Sequence, residues 1–122
     1  MPAKPPTPAD HLGKAEQNKK FGLGMISTHP TSAGWALTAL FYSAVHFSEA
    51  YFLKIAKRIT NHQDRFDAIR SDPTLRRIYG QYMHLYDYSY NARYTLKVHG
   101  KADVEKAKPS LEAVEQHFKS LL

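Results

Sequence analysis

There is no cysteine among the 122 residues. That excludes a disulfide scaffold, a thiolate zinc site, an iron–sulfur cluster and a cysteine nucleophile. It fits a reducing compartment, and a cytoplasmic location is the expectation. Glycine-rich phosphate loops are missing too: Phe21-Gly22-Leu23-Gly24 has neither the lysine spacing of a Walker loop nor a strand before it. No G-x-S-x-G elbow presents a catalytic serine. Seven histidines invite a metal, but H-E-x-x-H, a repeated E-x-x-H and a carboxylate cluster are all absent, and His46 with Glu49 is a lone H-x-x-E pair. No metal and no cofactor are expected. The N-terminus, MPAKPPTPAD, has no apolar stretch after Lys4 and does not read as a signal peptide. The one long apolar run, residues 33–53, is near the length of a membrane span. It carries Thr38, Ser43, His46, Ser48 and Glu49, and a carboxylate and an imidazole are costly in mid-bilayer. It reads as the buried central helix of a bundle, with no membrane involved.

What is present fits one domain with its own core. Four of the seven prolines fall in the first eight residues, so residues 1–9 read as a flexible Pro-rich arm and 10–122 as a single helical domain. The net charge of +6 points toward polyanions such as nucleic acid. Its distribution narrows that reading. Residues 1–30, 31–60 and 61–100 carry +2 each and 101–122 carry none, so there is no dense basic run. A phosphate contact is therefore expected at one cleft rather than across the surface.

The predicted class is all-α, an antiparallel up-and-down bundle of four to five helices. Helix one starts at Thr7 (cap), Pro8 and Asp10, and Gly22 and Gly24 are expected to loosen it beyond Lys20. Helix two follows Thr31 or Ser32 and runs to about Thr60. A short helix covers His62 to Ser71. Asp72-Pro73 reads as a cap and first position for helix four, which runs to about Val98, with Gly100 as its stop. The last helix, Ala102 to Leu122, is expected to break before Pro109. Leu75, Ile78, Tyr82, Leu85, Ser89, Ala92 and Leu96 form a core stripe at helical spacing.

Tyr42, His46 and Glu49 share one face of helix two, flanked by apolar faces. A polar stripe in that setting either fixes helix register or lines a cleft. A partly desolvated Glu49 needs a cation or hydrogen-bond donors, and Arg65 and Arg93 are the candidates. His11, Ala15 and Asn18 repeat the theme on helix one. Arg93 and His99 are six residues apart: an arginine that can grip a phosphate and a histidine that can move a proton. On a continuous helix they would diverge by about 120° and about 9 Å of rise. They converge only if the helix ends before His99.

Three segments in order carry a family resemblance: Trp35 to Phe52 (WALTALFYSAVHFSEAYF), His62 to Arg65 (HQDR) and Tyr82 to Tyr94 (YMHLYDYSYNARY), with His11 to Asn18 (HLGKAEQN) leading. Together they resemble the HEPN superfamily, the higher eukaryotes and prokaryotes nucleotide-binding domains. The resemblance implies a helical bundle, usually a homodimer, acting on RNA or a nucleotide. Many members are metal-independent ribonucleases of toxin–antitoxin, defence or RNA-processing systems. Their Arg-x4–6-His signature matches Arg93 and His99, with Tyr94 standing where active members often carry Asn, Asp or His. Others are non-catalytic binding modules, some beside a nucleotidyltransferase; an antitoxin is another implied partner. On this reading Arg93 and His99 are the catalytic candidates. Tyr42, His46, Glu49, His62, Arg65, Tyr82 and Tyr86 are the candidate ligand contacts.

Overall fold

The computed structural model describes residues 4–28 and 32–122. Five α-helices follow one another: α1 (Pro8–Thr28), α2 (Ala33–Lys54), α3 (His62–Ser71), α4 (Tyr79–Tyr94) and α5 (Lys101–Ser120). A 3-10 turn at Arg76–Ile78 leads into α4. No strand occurs among the described residues.

Side-chain contacts fix the helix directions. Going up α1, His11 meets His46, the Ala15 carbonyl accepts from the Ser43 hydroxyl, and Gly22 faces Ala36, so α2 runs antiparallel to α1. Between α2 and α4, Phe41 packs on Tyr82 and Tyr86 while Gly34 faces Ala92. His84 of α4 bonds Ser110 of α5, and Tyr88 meets His99 just before α5 begins. Helix α5 returns beside α1 through Lys19–Glu115 and Lys119–Glu16, each 2.8 Å. The four long helices thus form an up-down-up-down bundle with α3 inserted between α2 and α4. The core is Leu37, Leu40, Phe41, Phe47, Phe52, Ile69, Leu75, Tyr82, Leu85, Val104, Val114 and Phe118. Burial of that apolar surface is the main stabilising term. Among the described residues no helix is long and apolar enough to cross a membrane.

Boundaries differ from the sequence reading in instructive ways. The start of α1 holds: Asp10 N donates to Thr7 Oγ1 at 3.2 Å and Thr7 N to the Asp10 carboxylate at 2.9 Å. Those bonds keep the Asp10 carboxyl below its ordinary range. Pro8 and Ala9, placed in the arm by the sequence, are already helical. Lys4 to Thr7 are exposed coil, and residues 1–3 lie outside the described residues. Helix α1 does not loosen at Lys20. A Cβ at Gly22 would stand 3.0 Å from the Ala36 carbonyl oxygen, so glycine lets α1 touch α2, and packing offsets its poor propensity. Thr31 lies outside the described residues; Ser32 is the residue before α2.

Helix α2 stops at Lys54 rather than Thr60. Ala56 takes a left-handed conformation (φ 57°), Ala56 N bonds Leu53 O, and Lys57 N bonds Phe52 O at 2.8 Å. This is a Schellman ending with alanine in the glycine position. Asp72 closes α3 instead of opening helix four, and its carboxylate accepts from Thr74 N at 2.7 Å. Helix α4 ends at Tyr94, where the Thr95 hydroxyl bonds back to Asn91 O. The core stripe is accordingly buried from Leu75 to Ser89, while Leu96, past the end, is 100% exposed. Gly100 starts α5 rather than stopping α4: its N–H donates to Asp103 Oδ2 at 3.1 Å. Helix α5 runs unbroken through Pro109, with buried Val104 and Ala107 before it and Leu111, Val114 and Phe118 after it anchoring both halves.

Candidate functional site

Helix α2 is buried along most of its length and open along a seam. Trp35, Thr38, Tyr42, His46, Glu49 and Leu53 reach solvent there, spaced so that they stack on a single face. The polar stripe read from the sequence is the middle of this seam. The elements around it supply the partners.

Glu49 is neutralised by Arg65 of α3. Arg65 Nε and Nη2 donate to the same carboxylate oxygen at 2.9 and 2.6 Å, and the side chains are only 15% and 7% exposed. Arg65 Nη1 donates to His62 Nδ1 at 2.9 Å. His62 must accept at Nδ1, so it is neutral with its proton on Nε2. Burial, then the charges of Arg65 and Arg93, push its pKa down. Phe41, Tyr42, Phe66 and Tyr86 pack around the His62 ring. Tyr86 is half-buried in this aromatic group, closest to Phe66 at 4.7 Å between centroids.

His46 faces His11 of α1, with Nδ1 atoms 2.9 Å apart and rings stacked. One nitrogen donates and the other accepts, so the pair cannot be doubly protonated in this geometry. Burial, followed by His11 and Lys14, lowers the His46 pKa.

Tyr82, a candidate ligand contact from the sequence, is fully buried between Phe41 and Phe66. Burial raises its phenol pKa. Its place is the core, where no ligand reaches; the helical stripe from Leu75 to Ser89 already put it there.

Arg93 sits in contrasting surroundings. It is half-buried, its Nη1 donates to the Tyr42 hydroxyl at 3.2 Å, and its guanidinium lies over the Tyr42 and Tyr94 rings. It has no carboxylate partner among the described residues. The end of α4 at Tyr94 frees residues 95–99 to turn, which meets the condition for Arg93 and His99 to converge. Both line one cavity of about 350 Å³, with Gly34, Trp35, Thr38, Ala92, Lys97 and Val98. The His99 side chain is 1% exposed, its Nδ1 is 3.3 Å from Asp103 Oδ2, and its Nε2 has no partner among the described residues.

The structure thus joins Tyr42, His46, Glu49, His62, Arg65, Tyr86 and Arg93 along one seam and brings His99 to its end. Trp35, Lys97 and Asp103 were missed by sequence reasoning. Trp35 is seven residues before Tyr42 on α2, so helical spacing signalled it; Asp103 and Lys97 had no such signal, because His99 and Lys97 lie outside the helices. Among the described residues no group of three or more His, Asp or Glu side chains is placed to hold a metal ion. By fold and site the chain is an all-α bundle with an unneutralised arginine at the end of a polar seam. Comparison with protein-family models, curated proteins and solved structures found no match to it.

Proposed function

We propose that this protein is a HEPN-like bundle that binds the phosphate of RNA or of a nucleotide between the N-terminus of α2 and the C-terminus of α4. The observation that carries this reading is Arg93, a half-buried guanidinium with no carboxylate partner on a cavity that also holds Lys97. Arg65, the other arginine of the seam, is already neutralised by Glu49. A partly desolvated cation without a counter-charge is unfavourable until an anion arrives, and guanidinium matches a phosphate bidentately. Tyr94, Leu96 and Val98, exposed beside the cavity, offer an apolar edge for the second copy of a homodimer.

Cleavage of the bound RNA is a second reading, favoured by the His99–Asp103 pair. A carboxylate on Nδ1 fixes the tautomer and leaves Nε2 as the group that exchanges a proton. Arg93 would stabilise the charge developing on phosphorus, and the 95–99 segment has to open for His99 to reach it. Calorimetric titration with a short RNA at low salt tests the binding reading. Wild type is expected to bind, and Arg93→Gln to bind at least about tenfold more weakly, the equivalent of one charge-assisted contact. Equal affinities would overturn it. Incubation of the same RNA in EDTA separates the two readings: cleavage lost in His99→Ala supports catalysis, and intact RNA leaves a binding module.

A further inference from the structure

The phosphate-side cavity shares a wall with a second one. Trp35 and Thr38 line both, and on the far side of Trp35 a groove of about 470 Å³ opens between α1 and α2. Its sides are Phe21, Met25, Trp35 and Ala39, with Lys14, Asn18, Tyr42 and His46 among its polar groups. Phe21 is 61% and Trp35 67% exposed. Neither ring packs on another aromatic ring among the described residues, and the Asn18 amide makes no hydrogen bond there. Large aromatic rings left open on both sides of a groove, next to unused amide chemistry, mark a place for a flat partner with a polar edge.

The neighbouring cavity restricts what that partner is. Arg93 and Lys97 are the cations across the shared wall, so the occupant is an aromatic ring system joined to an anion. A nucleobase attached through ribose to phosphate has that layout: π-faces for Phe21 and Trp35, and donors and acceptors for the Asn18 amide, which offers both. A base paired in a duplex has its faces covered by neighbours and its edge by its partner.

We infer that the α1–α2 groove holds one unpaired nucleobase of a nucleotide whose phosphate lies at Arg93 and Lys97. This rests on the phosphate reading above and adds what the site recognises besides phosphate. Base–aromatic stacking makes a nucleotide bind about tenfold or more tighter than its sugar phosphate alone.

Trp35 is the chain's only tryptophan, so its fluorescence reports on the groove directly. The full chain is titrated with adenosine 5′-monophosphate, ribose 5-phosphate and adenosine, reading heat and tryptophan emission. Adenosine monophosphate is expected to bind about tenfold tighter than ribose 5-phosphate and to quench Trp35. Phe21→Ala, a change at an exposed position, should reduce it to the affinity of the sugar phosphate. Arg93→Gln should weaken both phosphate ligands. Equal, Arg93-dependent binding of the nucleotide and the sugar phosphate, without quenching, overturns the base groove and leaves the phosphate cleft standing. Quenching by adenosine that Phe21→Ala removes, with no contribution from phosphate, overturns the phosphate reading instead. Binding by none of the three overturns both.

Discussion

Two arginines in one seam carry opposite assignments because of what faces them. Arg65 is almost fully buried and spends its donors on Glu49 and His62, which makes it structural. Removing it strands the Glu49 carboxylate in a site 15% exposed. Arg65→Ala is therefore expected to cost about 3 kcal/mol in denaturant unfolding, whereas Arg93→Gln should cost under about 1 kcal/mol. Equal losses would mean that Arg93 too is structural. The histidines set the acid limit. His46 and His62 both have folded-state values below the ordinary one, so the unfolded chain takes up their protons first. Their stabilising contribution is complete above about pH 6.5 and shrinks as pH falls through the window below it. Melting temperature should drop between about pH 6.5 and 5, and the drop should be smaller in His46→Gln. At this scale the polar stripe was legible, because Tyr42, His46 and Glu49 lie at helical spacing. Which arginine served Glu49 was not, since α3 had to be placed in space first.

The start of α1 was legible and the end of α2 was not. Thr7, Pro8 and Asp10 are local signals, and local hydrogen bonds satisfied them. The end of α2 depends on Ala56, a residue with no turn preference that is held left-handed by two backbone bonds. Relieving that conformation with Ala56→Gly is expected to raise stability by about 1 kcal/mol, read as a shift in denaturant midpoint. Gly22 predicts the reverse. Any larger side chain meets the Ala36 carbonyl and Ala39, so Gly22→Val should lower stability by about 1–3 kcal/mol despite a better-than-glycine helix propensity. If it stabilises instead, the close crossing of α1 and α2 is wrong. The same crossing explains why α1 outlasts two glycines: tertiary contact, invisible in a local window, outweighs propensity.

Across the whole molecule charge is spread, and several ion pairs join one helix to another. Lys119 bridges Glu16 and Glu115, and Glu115 also takes Lys19, tying α5 to α1. The apolar edge at Leu96 and Val98 is the other global feature, 100% and 90% exposed. The core stripe made Leu96 look internal, because nothing in the periodicity marks where α4 stops. Light scattering of the wild type should give a dimer mass and Leu96→Lys a monomer; a wild-type monomer would remove the homodimer from the proposal. The up-and-down topology was legible because long amphipathic segments with short connections have few ways to pack. The burial of α2 also has an evolutionary consequence. From Trp35 to Glu49 the seam is a rod of about 21 Å, its stations set by a rise of 1.5 Å per residue. Substitution changes what a station holds but not where it stands. Adding or deleting one residue between Tyr42 and Glu49 would swing the remaining stations by about 100° into the core. Substitution along the seam is therefore limited by partners such as Arg65 at Glu49, whereas a change in number is limited by the helix itself.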